Sequence, residues 1–204
     1  MKRLRKEYPQ KKHGAIKFYH CGEYGEKSER PHHHAAIFNF DFADKFHWQT
    51  RDGIPLYTSK TLEQLWPFGH STIGEVTFES AAYIARYVTK KITGPPAQAH
   101  YKGRLPEYST MSRGGRRGRG IAYGWFDRYS SDLYPKDFTV IRGKKIKIPK
   151  YYDRCMELVD PEEYGILKES RKQQALSNPD NNTARLHAGE VIKTQQVQQL
   201  KRQL

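Results

Sequence analysis

Hydrophobic and polar positions alternate over two stretches near the start of the chain. The segment from Ala15 to Cys21 alternates and is rich in aromatic residues, and a second β-prone, apolar run follows Pro31. A charged segment with two glycines separates them, which is typical of a turn. The pattern therefore predicts two strands that pair as a β-hairpin.

Helical periodicity and capping residues predict further elements in the first half of the chain. In order, these are a helix at residues 2–8 ended by Pro9, a loop followed by a short helix within residues 43–74 capped by Ser59 or Thr61, a strand at 71–79, and a helix capped by Ser80 and ended by Gly94.

The second half of the chain has a similar mixture of signals. The predicted elements are a basic loop at 111–120, a helix at 121–134, a hairpin turning at Arg142-Gly143, and a helix after Asp160 that breaks at 178–182. The last twenty residues are polar and rich in glutamine, which predicts either a frayed helix or a disordered tail.

Length and composition narrow the class of protein. A chain of 204 residues can form one domain with extensions, and it has no apolar run of about 18 residues that could span a membrane. The basic N-terminus is not followed by the apolar region of a signal peptide. Two cysteines are too few for a disulfide framework or a cysteine-based zinc site, which favours a reducing cytosol.

Positive charge is concentrated in one quarter of the sequence. The net charge is +14, and residues 101–150 contain 13 lysines and arginines against 4 acidic residues. Such a region attracts polyanions, and its aromatic residues offer faces on which unpaired bases stack. A solvated basic patch or a membrane-surface patch is the alternative, so charge suggests nucleic acid without proving it.

Three adjacent histidines follow Pro31. In a strand, His32 and His34 share one face while His33 points to the other. Two imidazoles at positions i and i+2 can bind one divalent ion, with Glu23 or Glu26 across the hairpin as a third ligand. The alternative is a set of exposed or core histidines with no ligand.

The predicted helix after Ser80 contains a second candidate group. Tyr83, Tyr87 and Lys90 lie on one helical face at positions i, i+4 and i+7. They could be an aromatic stripe packed on the sheet, or a nucleophile set. A phenol with a pKa near 10 attacks a phosphate well only beside a cation or a metal that polarises the phosphate.

Together, these segments resemble a known family. PHHHAAIF resembles the HUH motif, and YIARYVTKK resembles the two-tyrosine motif of the same superfamily of rolling-circle replication initiators. Residues 15–155 are most similar to the replication initiator of gokushovirus-type microviruses. The resemblance implies an α+β fold with a central antiparallel β-sheet flanked by helices in residues 1–155, and a helical, partly flexible C-terminal extension in 156–204.

The resemblance also implies a site and a reaction. The implied metal ligands are His32, His34 and Glu23, with Glu26 a less favoured choice, and the implied catalytic residues are Tyr83, Tyr87 and Lys90. The implied cofactor is Mg²⁺ or Mn²⁺. One tyrosine would nick single-stranded DNA at the phage origin, keep a 5′-phosphotyrosine link and leave a 3′-OH for the host replication machinery. The site of action would be the host bacterial cytoplasm, with no membrane partner.

Two departures from the family pattern accompany this resemblance. His33 stands where the motif has a hydrophobic residue, and no strand bearing the family's first motif precedes residue 1. We therefore expect that the chain begins at an internal methionine and lacks one strand of the sheet.

Residues of the basic aromatic region are predicted to bind single-stranded DNA. They are Arg113, Arg116, Arg117, Arg119, Tyr123 and Trp125. A solvated basic loop is an equal alternative for this segment. Two other functions stay open from sequence: a catalytically impaired single-stranded DNA-binding or packaging protein, and a structural zinc protein, which would unfold on chelation.

Overall fold

The computed structural model describes residues 1–25, 28–87, 91–113 and 120–199. The chain is mixed α+β with antiparallel sheets and a helical C-terminal part, as the sequence predicts. It divides into two compact units, Met1–Ser112 and Arg113–Leu204. The predicted division after residue 155 stays a prediction. Within the four described ranges, no helix is both long enough and apolar enough to cross a membrane.

The first unit is built on a three-stranded antiparallel sheet. Strand β1 (Lys17–Tyr24) lies between β2 (Pro31–Phe38) and β5 (Tyr108–Met111). The β1–β2 hairpin is confirmed, and its register runs from Lys17 opposite Phe38 to Tyr24 opposite Pro31. Strand β1 therefore continues three residues beyond the predicted end at Cys21.

A second hairpin occupies part of the segment that was expected to be a loop, so that prediction is wrong. It consists of β3 (Phe46–Arg51) and β4 (Ile54–Thr58). All six residues of β3 are exposed, so no apolar face marks the strand in the sequence. The turn residues Asp52 and Gly53 have φ values of +50° and +78°, and an Asp-Gly pair is a common hairpin turn.

The strand predicted at residues 71–79 is also wrong. Only Ile73 forms a β-bridge there, to Tyr57 of β4. The last part of the segment instead begins a helix, because the Thr77 side chain accepts a hydrogen bond from the Ser80 backbone N–H. The Ser80 hydroxyl in turn accepts one from the Thr77 N–H, so Thr77, rather than Ser80, is the N-cap.

Five helices are described in the first unit: α1 (Lys2–Glu7), α2 (Gln10–His13), α3 (Lys60–Leu65), α4 (Phe78–Arg86) and α5 (Pro96–Tyr101). The side chain of Ser59 caps α3, which is one of the two predicted caps. Leu4, Ile16 and Phe42 form a buried core against which Ile37 of β2 and residues of α3 pack. The sequence did not predict α5 or β5.

The second unit is mainly helical. Its elements are α6 (Tyr123–Tyr129), a 3₁₀ turn (Ser130–Asp132), β6 (Thr139–Ile141), β7 (Lys144–Ile146), α7 (Lys150–Val159), α8 (Pro161–Ser177) and α9 (Thr183–Gln198). The hairpin at Arg142-Gly143 and the helix capped by Asp160 are confirmed, whereas α7 was not predicted. Of the two predictions for the tail, the helical one holds for Thr183–Gln198.

A buried core and a polar network hold the second unit together. The core consists of Phe126, Leu133, Tyr134, Ile148, Cys155 and Met156. Beside it, the guanidinium of Arg171 on α8 donates hydrogen bonds to the carboxylates of Asp137 and Asp153. Asp153 is buried and also accepts a hydrogen bond from the Tyr134 hydroxyl at 3.0 Å.

Candidate active site

The register of the β1–β2 hairpin places the three histidines on opposite faces of the sheet. His34 pairs with Cys21, His33 with Gly22, and His32 with Glu23. Because side chains alternate along a strand, His32 and His34 share one face with Glu23, and His33 lies on the other. The predicted facing of these histidines is confirmed.

His34 and Glu23 form a contact on the first of these faces. The His34 Nε2 lies 3.2 Å from the Glu23 Oε1. The Glu23 carboxylate is buried, whereas the His34 side chain is partly exposed. A buried carboxylate requires polar partners, and the imidazole on the neighbouring strand is one of them.

Helix α4 brings two tyrosines to the same face of the sheet. The ring of Tyr87, the residue that ends the helix, stacks on that of His34, with centroids 4.7 Å apart and planes 13° apart. The Tyr83 ring meets the His34 ring edge-on at 5.8 Å. The i, i+4 spacing that predicted a shared face therefore holds, and the Tyr87 hydroxyl donates a hydrogen bond to that of Tyr83.

The two tyrosines differ in environment. Tyr87 is only 4% exposed, whereas Tyr83 is half-buried. Burial raises the pKa of the Tyr87 phenol, and its hydrogen bond to Tyr83 and the negative charge of Glu23 raise it further. Arg86 lies above the Tyr83 ring, with its Cζ atom 5.9 Å from the centroid. The sequence analysis missed Arg86, although its i+3 spacing from Tyr83 was a signal.

The predicted metal ligands fit a divalent ion by their chemistry. Two imidazole nitrogens and a carboxylate oxygen suit Mn²⁺ and related ions. His32 is exposed and lies directly across the hairpin from Glu23, which already contacts His34. Among the residues that the structure describes, no three His, Cys, Asp or Glu side chains are gathered closely enough to hold an ion.

Two predicted site residues fall outside the described parts of the chain. Lys90, the predicted assistant of the tyrosines, and Glu26, the alternative ligand, both lie outside the described residues. The structure therefore brings together Glu23, His34, Tyr83 and Tyr87, and it places His32 on the same face.

The predicted DNA-binding residues of the second unit have mixed environments. Arg113 is exposed, and Arg116, Arg117 and Arg119 lie outside the described residues. Tyr123 is partly buried and packs against the core of the second unit. Trp125 is 40% exposed and its ring stacks on Tyr152 at 5.4 Å.

Comparison with known proteins bears on the whole of this arrangement. Residues 1–92 match the family model of replication-associated proteins of the ORF2 type, and this range contains the two tyrosines of α4 and the histidines of β2. The chain is 36% identical over 182 residues to the replication-associated protein ORF2 of Spiroplasma virus 4, an alignment covering 86% of this chain and 54% of that protein. The resemblance to phage replication proteins is confirmed.

Two further relatives carry similar names. The chain is 34% identical over 145 residues to the replication-associated protein VP4 of Bdellovibrio phage phiMH2K, covering 70% of this chain and 44% of the relative. It is 28% identical over 185 residues to the replication-associated protein ORF4 of Chlamydia phage 1, covering 82% and 44%. The chain thus spans about half the length of these relatives. No solved structure matches it.

Proposed function

We propose that this protein is a phage replication initiator that nicks and rejoins single-stranded DNA through a tyrosine nucleophile. The observation that supports this most is the meeting of two tyrosine hydroxyls on α4 with the His34–Glu23 pair on β1 and β2. Nucleophile and electrostatic partner lie on one face, as phosphoryl transfer requires. The names of the phage relatives agree with this role.

The proposed reaction is a transesterification in two steps. In the first, a tyrosine Oη loses its proton and attacks the scissile phosphorus, the bond to the 3′ oxygen breaks, and that oxygen takes up a proton. The product is a 5′-phosphotyrosine and a free 3′-OH, which the host polymerase extends. In the second step, a 3′-OH attacks the phosphotyrosine and releases the tyrosine. Because bond energy is conserved in the phosphotyrosine, no nucleotide hydrolysis is needed.

Several side chains have assigned roles in this proposal. Tyr83 and Tyr87 are the nucleophiles, and Lys90 assists them by favouring the phenolate. His32, His34 and Glu23 would hold Mg²⁺ or Mn²⁺. Such an ion polarises a phosphate oxygen when it is bound. The proposed partner is single-stranded DNA at the phage origin, in the cytoplasm of the host bacterium.

A covalent-adduct assay tests the proposal. Origin-containing phage DNA with a label is incubated with protein and Mg²⁺ or Mn²⁺, and the protein–DNA adduct is measured on a denaturing gel. The adduct should disappear in the double variant Tyr83→Phe with Tyr87→Phe. It should persist in the matched control Tyr57→Phe, which changes a tyrosine of β4 outside the site.

The metal ligands are tested separately in the same assay. Replacing both His32 and His34 by Ala should abolish metal-dependent nicking. An adduct that survives the double tyrosine change would refute the nucleophiles, and unchanged nicking by the double histidine variant would refute the ligands.

A second candidate is a single-stranded DNA-binding or packaging protein without catalysis. The near-complete burial of Tyr87 favours it, because a buried hydroxyl is poorly placed to meet DNA. This candidate predicts salt-dependent DNA binding with no covalent adduct under any metal condition.

A further inference from the structure

The sheet of the first unit has a second face, opposite the tyrosines, that is lined by rings. Strand alternation places His20 and Tyr24 of β1 there, together with His33 of β2, because these residues are offset by one position from Cys21, Glu23 and His34. We call this surface the aromatic face. Its members are His20, Tyr24, His33 and Tyr108 from the sheet, and Trp66 and Phe68 from the segment after α3.

Most of these rings form a continuous series of contacts. The imidazoles of His20 and His33 stack with centroids 5.4 Å apart and planes 9° apart. Trp66 meets His33 edge-on at 5.1 Å, and Phe68 meets Trp66 at the same distance. On the other side, the Tyr108 ring lies 5.6 Å from that of His20. The rings therefore extend across all three strands and beyond the edge of the sheet.

A glycine allows one ring to lie across the central strand. A Cβ atom added at Gly22 of β1 would stand 2.7 Å from the Cε1 atom of Tyr108, which is closer than such contacts occur. The Tyr108 ring thus occupies the space above Gly22, its pairing partner on β5. The sequence keeps a flat aromatic surface where a side chain would otherwise interrupt it.

These rings are not packed as a core would be. Tyr108 is 43% exposed, Phe68 is 68% exposed, and His33 is exposed as well. The buried core of this unit lies instead around Leu4, Ile16 and Phe42. A contiguous group of exposed aromatic rings usually marks a binding surface.

Arginine side chains accompany the rings. The Cζ of Arg3 lies 5.3 Å from the Phe68 centroid, and that of Arg104 lies 5.2 Å from the Tyr24 centroid. Both arginines also have protein partners, since Arg3 donates to the Leu65 carbonyl and Arg104 forms an ion pair with Glu29 at 2.6 Å. A planar guanidinium on a ring can still face a phosphate or a base.

We infer that the aromatic face binds single-stranded DNA by stacking unpaired bases, on the side of the sheet opposite the proposed nucleophiles. Single strands are favoured over a duplex because only unpaired bases can leave their own stack to lie on a ring. The arginines and the net charge of +14 complement the phosphates. The choice of DNA as partner rests on the proposed function, and the surface extends it by adding a non-cleaving contact for the strand.

The test measures affinity rather than cleavage. The full chain is titrated against a fluorescent thirty-nucleotide oligo-dT, which has no origin, in EDTA at about 0.1 M salt, and anisotropy reports binding. Tyr108→Ala and Phe68→Ala should each weaken binding about five- to tenfold, at the low end of the range for a lost base–aromatic stack because each ring is partly exposed. Phe46→Ala removes a ring that is 74% exposed on β3, outside the aromatic face, and should leave the affinity unchanged.

Salt dependence separates stacking from charge. The two aromatic variants should keep the wild-type slope of affinity against salt, whereas Arg3→Ala should reduce it by about one. A thermal melt of each variant confirms folding, and Phe68, being the more exposed, keeps the test valid if Tyr108→Ala is unstable.

Each outcome has a defined meaning. Equal affinity of Tyr108→Ala, Phe68→Ala and Phe46→Ala for oligo-dT would overturn the inference, as would equally tight binding of a duplex of the same length. A gain of dimer on concentration that the aromatic variants abolish, without a loss of DNA affinity, would assign the face to a second copy of the chain and also overturn it. If the wild type forms no adduct with origin DNA but the aromatic variants lose oligo-dT affinity, the proposed function fails and this inference stands.

Discussion

Tyr83 and Tyr87 are chemically identical but occupy different environments. Tyr87 is buried beneath His34 and donates its hydroxyl proton to Tyr83, while Tyr83 is the more exposed of the two. We therefore expect Tyr83 to make the first attack. Tyr83→Phe should lower the initial rate of adduct formation at least about tenfold more than Tyr87→Phe does. Quench-flow measurement of the adduct checks this, and equal rates in the two single variants would contradict it.

Gly22 provides a test of packing at a single position. Because a Cβ there would press on the Tyr108 ring, Gly22→Ala should lower the free energy of unfolding by about 1–2 kcal/mol. Gly124 on α6 has nothing within 4 Å of such an atom, so Gly124→Ala should raise it by up to about 1 kcal/mol. Urea denaturation measures both changes.

A double-mutant cycle assigns the cause of the Gly22 effect. If the Tyr108 ring is what the new methyl group meets, Gly22→Ala should cost less in the presence of Tyr108→Ala. An unchanged cost in that background would instead point to the backbone of β1.

At the level of elements, the two hairpins of the first unit show what the sequence could predict. The β1–β2 hairpin has an apolar, aromatic pattern and a glycine-containing turn, and it was predicted. The β3–β4 hairpin has its turn signal at Asp52-Gly53, but both faces of β3 are exposed, so its sequence has no alternation. Alternation reports a buried face, and a strand without one is invisible to it.

The candidate site shows the same division. The facing of His32, His33 and His34 follows from the two-residue period of a strand, and the shared face of Tyr83 and Tyr87 follows from helical spacing. The burial of Tyr87 and its stacking on His34 depend on how α4 packs against β2, and local periodicity contains no information on that contact.

The N-cap of α4 supports the helix that presents the tyrosines. Thr77 and Ser80 exchange hydrogen bonds there, so Thr77→Ala should lower the free energy of unfolding by about 1 kcal/mol. Thr72→Ala, at an exposed threonine in the preceding segment, is the matched control and should have little effect. Urea denaturation distinguishes them, and equal midpoints for the two variants would show that the cap contributes nothing.

At the level of the whole molecule, each unit has its own core, and a charged network belongs to one of them. Burial alone would raise the pKa of Asp153, but hydrogen bonds from Arg171 and Tyr134 outweigh this and lower it. The folded carboxyl therefore binds protons less readily than the unfolded one. It contributes stability above the unfolded pKa of about 4, and that contribution is lost as the pH falls below it.

Arg171→Ala tests this network. It leaves a buried carboxylate with one donor fewer, and should lower the free energy of unfolding at pH 7 by about 2 kcal/mol, less than for a fully buried pair because Arg171 is partly exposed. The variant should also lose part of the acid-induced fall in stability between about pH 5 and 3. Lys172→Ala, at the adjacent exposed lysine, should change neither quantity when melting is followed against pH.

The separate cores predict that damage to one unit stays within it. Arg171 and its partners lie in Arg113–Leu204, and Leu4 lies in Met1–Ser112; the two buried clusters share no residue among those that the structure describes. Hydrogen exchange should therefore show lost protection in α7 and α8 for Arg171→Ala, with β1 and β2 unchanged. Leu4→Ala should show the reverse, because it removes a buried side chain from the first core. Loss of protection across both units in either variant would show instead that they unfold as one cooperative body.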